Sequence, residues 1–117
     1  LEKLKQCTKY SFGAPVVMII CYDKTVSWKR KFDGKDEGVV DASIVTTHMM
    51  LEAKELGLGT TWVGYFDEVK TRELYKIPEN LEIVAMLPIG YPAEDAKPSE
   101  MHYKRNSIDN IVYWDKI

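Results

Sequence analysis

The chain has 117 residues, of which 45% are hydrophobic, 29% charged and 11% aromatic, and 16 Lys+Arg against 18 Asp+Glu leave a net charge of −2. That apolar and aromatic content excludes a disordered or low-complexity chain, and the near-neutral balance gives no electrostatic drive toward nucleic acid or an anionic membrane. The length suits one domain, expected over residues 1–117, burying roughly two-thirds of its unfolded surface.

The opening Leu1-Glu2-Lys3-Leu4-Lys5 lacks the apolar core of a secretion signal. No stretch reaches the roughly 18 apolar residues of a membrane span. Two cysteines, Cys7 and Cys21, do not make a secreted disulfide framework, so a cytoplasmic setting is expected. The start at Leu1 rather than Met is expected of a processed or truncated piece of something longer.

Pro15–Tyr22 (PVVMIICY) is a continuous apolar run that reads as a strand covered on both faces, with Cys21 a buried thiol. The polar excursion after Asp23, with Asp33-Gly34 and Gly38 as turn signals, reads as a loop with at most one helical turn. Val39–Leu56 favours helix, with Gly57 as its stop. Its apolar residues surround the axis and no charge falls between Asp41 and Glu52. A helix without a wide polar face is buried on most sides, in a large core or against a partner chain. A domain this small cannot surround it, which points to an oligomer. His48 reads as a packed helix residue.

Thr60–Val63 reads as a short strand closed by Gly64, and Asp67 as the cap of a helix ending near Lys76, before Ile77-Pro78. Leu81–Ile89 is a further, central strand. Ala93–Asn106 reads as an extended arm, and Ile108, Ile111, Val112 and Trp114 form an apolar tail without a partner in so short a chain. Local alternation of strand and helix alone favours a parallel α/β sheet.

The run Gly57-Leu-Gly59-Thr-Thr-Trp-Val-Gly64 is not a dinucleotide fingerprint, because its glycines follow a helix and open a strand. Nor is it a phosphate loop, since Tyr65-Phe66 follow its last glycine. Two readings stay open: a helix stop with a tight strand exit, or a side-chain-free exit whose backbone N–H groups approach a flat ligand. Lys104-Arg105 is likewise either a solvated pair or a phosphate anchor. His48 and His102 lie in separate segments without metal-ligand spacing, so no metal is expected. No nucleophile elbow or paired-carboxylate arrangement appears, and no catalytic side chain is assigned.

Four segments in order resemble the FMN-dependent nitroreductase family: FGAPVVMIICYDK (Phe12 to Lys24), SWKRKFDGKDEG (Ser27 to Gly38), DASIVTTHMMLEAKELGLGTTWVGYFD (Asp41 to Asp67) and VAMLPIGYPAEDAKPS (Val84 to Ser99). They match the C-terminal part of the family's domain. Its N-terminal segment, with further flavin contacts, has no counterpart among these residues.

The resemblance implies an α+β fold with a central, mostly antiparallel sheet, in place of the parallel one. It also implies a homodimer with long helices at the interface, C-terminal arms crossing between subunits, and FMN bound where the two chains meet. Trp62-Val63-Gly64 matches the strand exit whose main chain lies against the flavin near N5. Arg105 matches the arginine that binds the FMN phosphate, with Lys104 as a second contact. Relatives often place that lysine two residues before the arginine, where this chain has Tyr103, and have Leu-Pro after it, where this chain has Asn106-Ser107. Trp28 and Phe32 fall in the excursion that overhangs the substrate pocket in relatives. The implied activity is two-step NAD(P)H oxidation, with hydride passing through flavin N5 to a nitroaromatic or quinone-like acceptor. The alternatives are a truncated, non-catalytic dimer-forming fragment, or a related flavoprotein of dehalogenase or flavin-degrading type.

Overall fold

The computed structural model describes residues 2–115. The elements in chain order are a 3-10 turn (Leu4–Gln6), β1 (Val16–Asp23), α1 (Gly38–Glu55), β2 (Gly59–Thr60), α2 (Glu68–Tyr75) and β3 (Leu81–Gly90), then two 3-10 turns (Glu100–His102, Ile108–Asn110). The sheet runs β1-β3-β2 and both pairings are antiparallel. The parallel sheet suggested by local alternation is therefore wrong. The α+β, antiparallel arrangement implied by the resemblance is what forms. Parallel neighbours need a crossover between them, whereas β1 and β3 run in opposite senses and pair from Val16 opposite Ile89 to Asp23 opposite Leu81.

β3 is the central strand, and Ala85, Met86 and Leu87 within it are fully buried. β1 is not covered on both faces as its apolar run suggests. It lies at the sheet edge, with Val16 and Met18 exposed. Cys21 shares that open flank and is half-buried; the buried thiol is Cys7. Alternation along β3 divides the packing. On one face lies α1, next to Met18 and Ile89. On the other, Met86 joins Leu4, Cys7 and Val63 in a cluster bordered by Val17, Phe66 and Leu74.

α1 meets the sheet through a narrow stripe. Gly38, Thr46 and Ala53 are its buried residues, with Ala42 half-buried between them. Small side chains let the helix approach closely, and a Cβ on Gly38 would enter the Tyr22 ring. The large apolar residues Val40, Ile44, Val45, Leu51 and Leu56 point off the chain, at 43–64% exposure. His48 is exposed for the same reason, not packed. Gly57 ends the helix at φ 77°, donating its N–H to the Lys54 C=O. The Asp67 carboxylate caps α2 by accepting the Lys70 N–H at 2.9 Å, and Arg72 ties α2 to β3 by donating to the Pro78 and Leu81 carbonyls, each at 2.8 Å.

The excursion after β1 is a hairpin rather than a loop with a helical turn. Lys29 and Asp36 form an antiparallel bridge, and the Arg30 guanidinium pairs with Asp33. Beyond β3 every residue from 91 to 111 is exposed, although the start of this arm still lies beside the body, with Pro92 next to Gly59. The radius of gyration is accordingly 17.1 Å, against about 13 Å for a compact chain of this length. No helix among the described residues is long and apolar enough to cross a membrane.

Candidate functional site

β2 stops at Thr60, yet its register with β3 continues. Thr60 faces Ile89, and three residues later Val63 faces Met86. The gap falls where Thr61 stands opposite Pro88, which has no N–H to give the ladder. At Val63 the pairing resumes for one residue. Its N–H donates to the Met86 C=O and its C=O accepts the Met86 N–H, both at 2.9 Å. In a trans peptide the N–H points opposite to the C=O. The bond that draws the Val63 carbonyl toward β3 therefore turns the Gly64 N–H to the open side, and the Val63 N–H bond turns the Trp62 C=O the same way. Among the described residues, neither group has a hydrogen-bond partner.

Val63 itself is 4% exposed and anchors this exit in the core cluster, whereas Gly64 and Trp62 are exposed. A Cβ built on Gly64 would find only the Trp62 Nε1, at 4.0 Å. The exit thus has one bare position, Gly64, beside the Trp62 indole, with an outward donor and acceptor, and is rooted by the buried Val63 side chain. It offers fixed dipoles to a flat ligand. The Asp residues with displaced ionisation lie elsewhere. Asp36 is held below the usual carboxylate range by the Gly38 N–H and the Ser27 hydroxyl, and Asp33 by Arg30. Burial pushes the Cys21 thiol and the Tyr22 phenol up.

The remaining residues singled out from sequence lie on two other segments, the arm after β3 and the hairpin after β1. Lys104 and Arg105 are exposed on the departing arm, beside a hollow of about 380 Å³ lined by Met101, Asn106 and Ile111. The Arg105 Nη1 donates to the Lys104 C=O at 2.7 Å and to the Met101 C=O at 3.4 Å. Its Nε and Nη2 have no protein partner among the described residues. Lys104 reaches Glu100 at 3.5 Å. Trp28 (60% exposed) and Phe32 (99% exposed) belong to the hairpin. The hairpin is rooted at Asp23, opposite Leu81, so about 17 Å of β3 separates its root from Met86.

Sequence reasoning missed two adjoining apolar hollows between α1 and β1, of about 640 and 510 Å³, which share Met18, Val45 and Met49. Their sequence signal was the apolar girdle of α1. It also missed Thr8, which is 6% exposed and bonds to the Tyr65 carbonyl at 2.8 Å. Nothing in the local pattern marks a contact 57 residues away. No cluster of three or more His, Cys, Asp or Glu suited to a metal ion occurs among the described residues.

An isoalloxazine fits this donor set. At Gly64 no side chain stands in the way of a ring, and the unpartnered N–H there is a donor that would suit a ring nitrogen without an ionisable group. Arg105 has the paired donors that suit a phosphate.

The family model described as the nitroreductase family matches residues 5–91. A Methanothermobacter thermautotrophicus protein, named as a candidate NADH dehydrogenase/NAD(P)H nitroreductase, is 36% identical over 102 residues, covering 81% of this chain and 51% of its own. A solved nitroreductase family protein from Clostridium difficile 630 superposes with a TM-score of 0.89 at 39% identity, over 99% of this chain and 67% of that one. An FMN-dependent nitroreductase from Clostridium difficile R20291 matches with a TM-score of 0.63 at 26% identity, over 89% of this chain and 59% of its own. The chain spans between about half and three-fifths of the length of the first curated relatives it matches, 51% and 58%.

Proposed function

Because the chain belongs to the nitroreductase family, we propose that it forms the flavin-facing part of an FMN-dependent NAD(P)H oxidoreductase acting as a cytoplasmic homodimer. The observation that carries this reading is the outward Gly64 N–H beside an absent side chain, fixed by the Val63–Met86 pairing. Bound FMN supplies two-electron chemistry between NAD(P)H and an electron-poor acceptor of nitroaromatic or quinone type. The chain's part is to hold and orient. Gly64 offers its N–H to the ring edge, and Trp62 and Val63 set the plane of the main chain against the ring. The Arg105 guanidinium, with Lys104 beside it, holds the phosphate. No side chain needs to move a proton, since positioning two planar partners is the larger task. Trp28 and Phe32 would serve the acceptor side from the hairpin, in a site that a second subunit completes.

Surface area supports an assembly. The chain exposes 9326 Å², while a folded monomer of 13.5 kDa exposes about 6,500 Å². The surplus is about 2,800 Å² per chain, or about 5,600 Å² over two chains, which reaches the upper end of obligate interfaces. The outward apolar residues of α1 and the arm beyond β3 contribute to it. The free thiols Cys7 and Cys21 suit a reducing compartment.

Titrating FMN into the purified chain tests the reading. Saturable quenching of flavin fluorescence at one FMN per chain, on a species sedimenting as a dimer, is the expected result. A second reading, a dimer-forming fragment without its own flavin, uses the outward apolar residues of α1 and leaves the Gly64 exit without a role. A sedimenting dimer that takes up no FMN selects it. A flavin-loaded dimer that dehalogenates or degrades flavin, and reduces no nitroaromatic, selects a third.

A further inference from the structure

Met86 sets the outward turn of the Gly64 N–H, but glycine fixes nothing about the course of the chain beyond it. Tyr65 is 73% exposed, its ring meeting Tyr10 edge-on, so side-chain burial supplies little hold until Phe66. The hold comes from the segment before β1. The buried Thr8 hydroxyl donates to the Tyr65 C=O at 2.8 Å and accepts the Tyr10 N–H at 3.1 Å. Next to it, the Cys7 C=O accepts the Asp67 N–H at 2.8 Å. Leu4, 2% exposed and in the same cluster as Val63, seats the segment. The Tyr65 ring stands edge-on to Tyr10 at 5.8 Å and 84°. One hydroxyl therefore joins two lengths of main chain whose side chains also meet.

We propose that Thr8 is the positioning residue of the Gly64 exit: its hydroxyl pins the Tyr65 carbonyl, so that residues 64–65 keep the path that faces the flavin. The geometry stands by itself, and the purpose rests on the flavin reading above. Thr8 acts through Tyr65 and is not assigned any contact with flavin or substrate. Valine copies the shape of threonine without the hydroxyl, and serine keeps the hydroxyl, so the pair separates hydrogen bonding from packing.

The test measures amide dynamics by ¹⁵N relaxation in the full chain and in Thr8→Val and Thr8→Ser, followed by FMN titration of each. In the parent and Thr8→Ser, the Gly64 and Tyr65 amides are expected to be as rigid as that of Val63. In Thr8→Val those two loosen while Val63 and Met86 stay rigid, and FMN affinity falls on the order of tenfold. Unchanged rigidity in Thr8→Val overturns the proposal, and so does loosening with FMN affinity at the parent's level. Loosening in a chain whose parent takes up no FMN supports the tie and overturns the flavin reading alone. Independently of whether the valine variant folds, the unsubstituted chain should show a slowly exchanging Thr8 hydroxyl proton coupled to the Tyr65 carbonyl carbon. A freely exchanging hydroxyl overturns the proposal.

Discussion

Replacing Gly64 by alanine separates a structural glycine from one kept bare for a ligand. Gly64 lies outside the positive-φ glycines, Gly13, Gly34 and Gly57, so alanine meets no backbone strain there. Its new methyl would find only the Trp62 Nε1, at 4.0 Å. Within the chain the change is therefore expected to lie between neutral and a gain of about 1 kcal/mol, from reduced freedom of the unfolded chain. Against a flavin the same methyl stands between ring and main chain. Losing one net hydrogen bond, about 0.5–1.5 kcal/mol, together with part of the ring contact, weakens FMN about tenfold. Gly38→Ala is the contrasting control. Its methyl enters the Tyr22 ring, where overpacking costs about 1–3 kcal/mol and lowers the melting temperature by several degrees. Thermal melts by circular dichroism and FMN titration by fluorescence read both effects. Gly64→Ala that melts with the parent and binds FMN equally well refutes the reasoning. So does a collapse of its melting temperature, since the open space beside Gly64 would then be wrong.

Arg105→Ala is expected to weaken FMN more than Lys104→Ala, because the guanidinium has paired donors to spare while Lys104 is engaged by Glu100; equal losses on titration refute the ranking. Asp36→Asn tests the hairpin's junction with α1. The Asp36 carboxylate accepts the Gly38 N–H at 2.8 Å and the Ser27 hydroxyl at 2.7 Å, and lies 3.4 Å from Lys29. Its folded pKa is lowered from 3.8. The stabilisation is present above that value and lost as pH falls through the lower folded one. The variant should melt below the parent at pH 7 and converge with it in strong acid. A gap that persists unchanged to the lowest pH contradicts this.

Much of the fold was legible where local chemistry decides it. The Pro15–Tyr22 run, the Gly57 stop, the Asp67 cap and the β3 strand follow from propensity and punctuation, and each formed within a residue or two of expectation. Strand direction was not legible from pattern, because antiparallel pairing of β1 with β3 joins segments far apart in sequence. The resemblance supplied it. The break in β2 depends on which residue stands opposite Thr61, and register made that Pro88. The edge position of β1 left Cys21 half-open, and the small-residue stripe of α1 left His48 outside, although both look interior in a linear reading. The bare exit at Gly64 was legible as residues. The Thr8 tie behind it was not, since a lone threonine carries no pattern. The placement of Lys104, Arg105, Trp28 and Phe32 is set by the course of the arm and the hairpin, which local pattern does not fix.

The most direct measurement of the central claim is a hydrogen-bond scalar coupling between the Gly64 amide and flavin N5, recorded with ¹⁵N-labelled protein and ¹⁵N5-labelled FMN. A resolved coupling at Gly64, with its amide proton shifted on binding, is the expected result. Bound FMN that couples to a different amide, or to none, would contradict it.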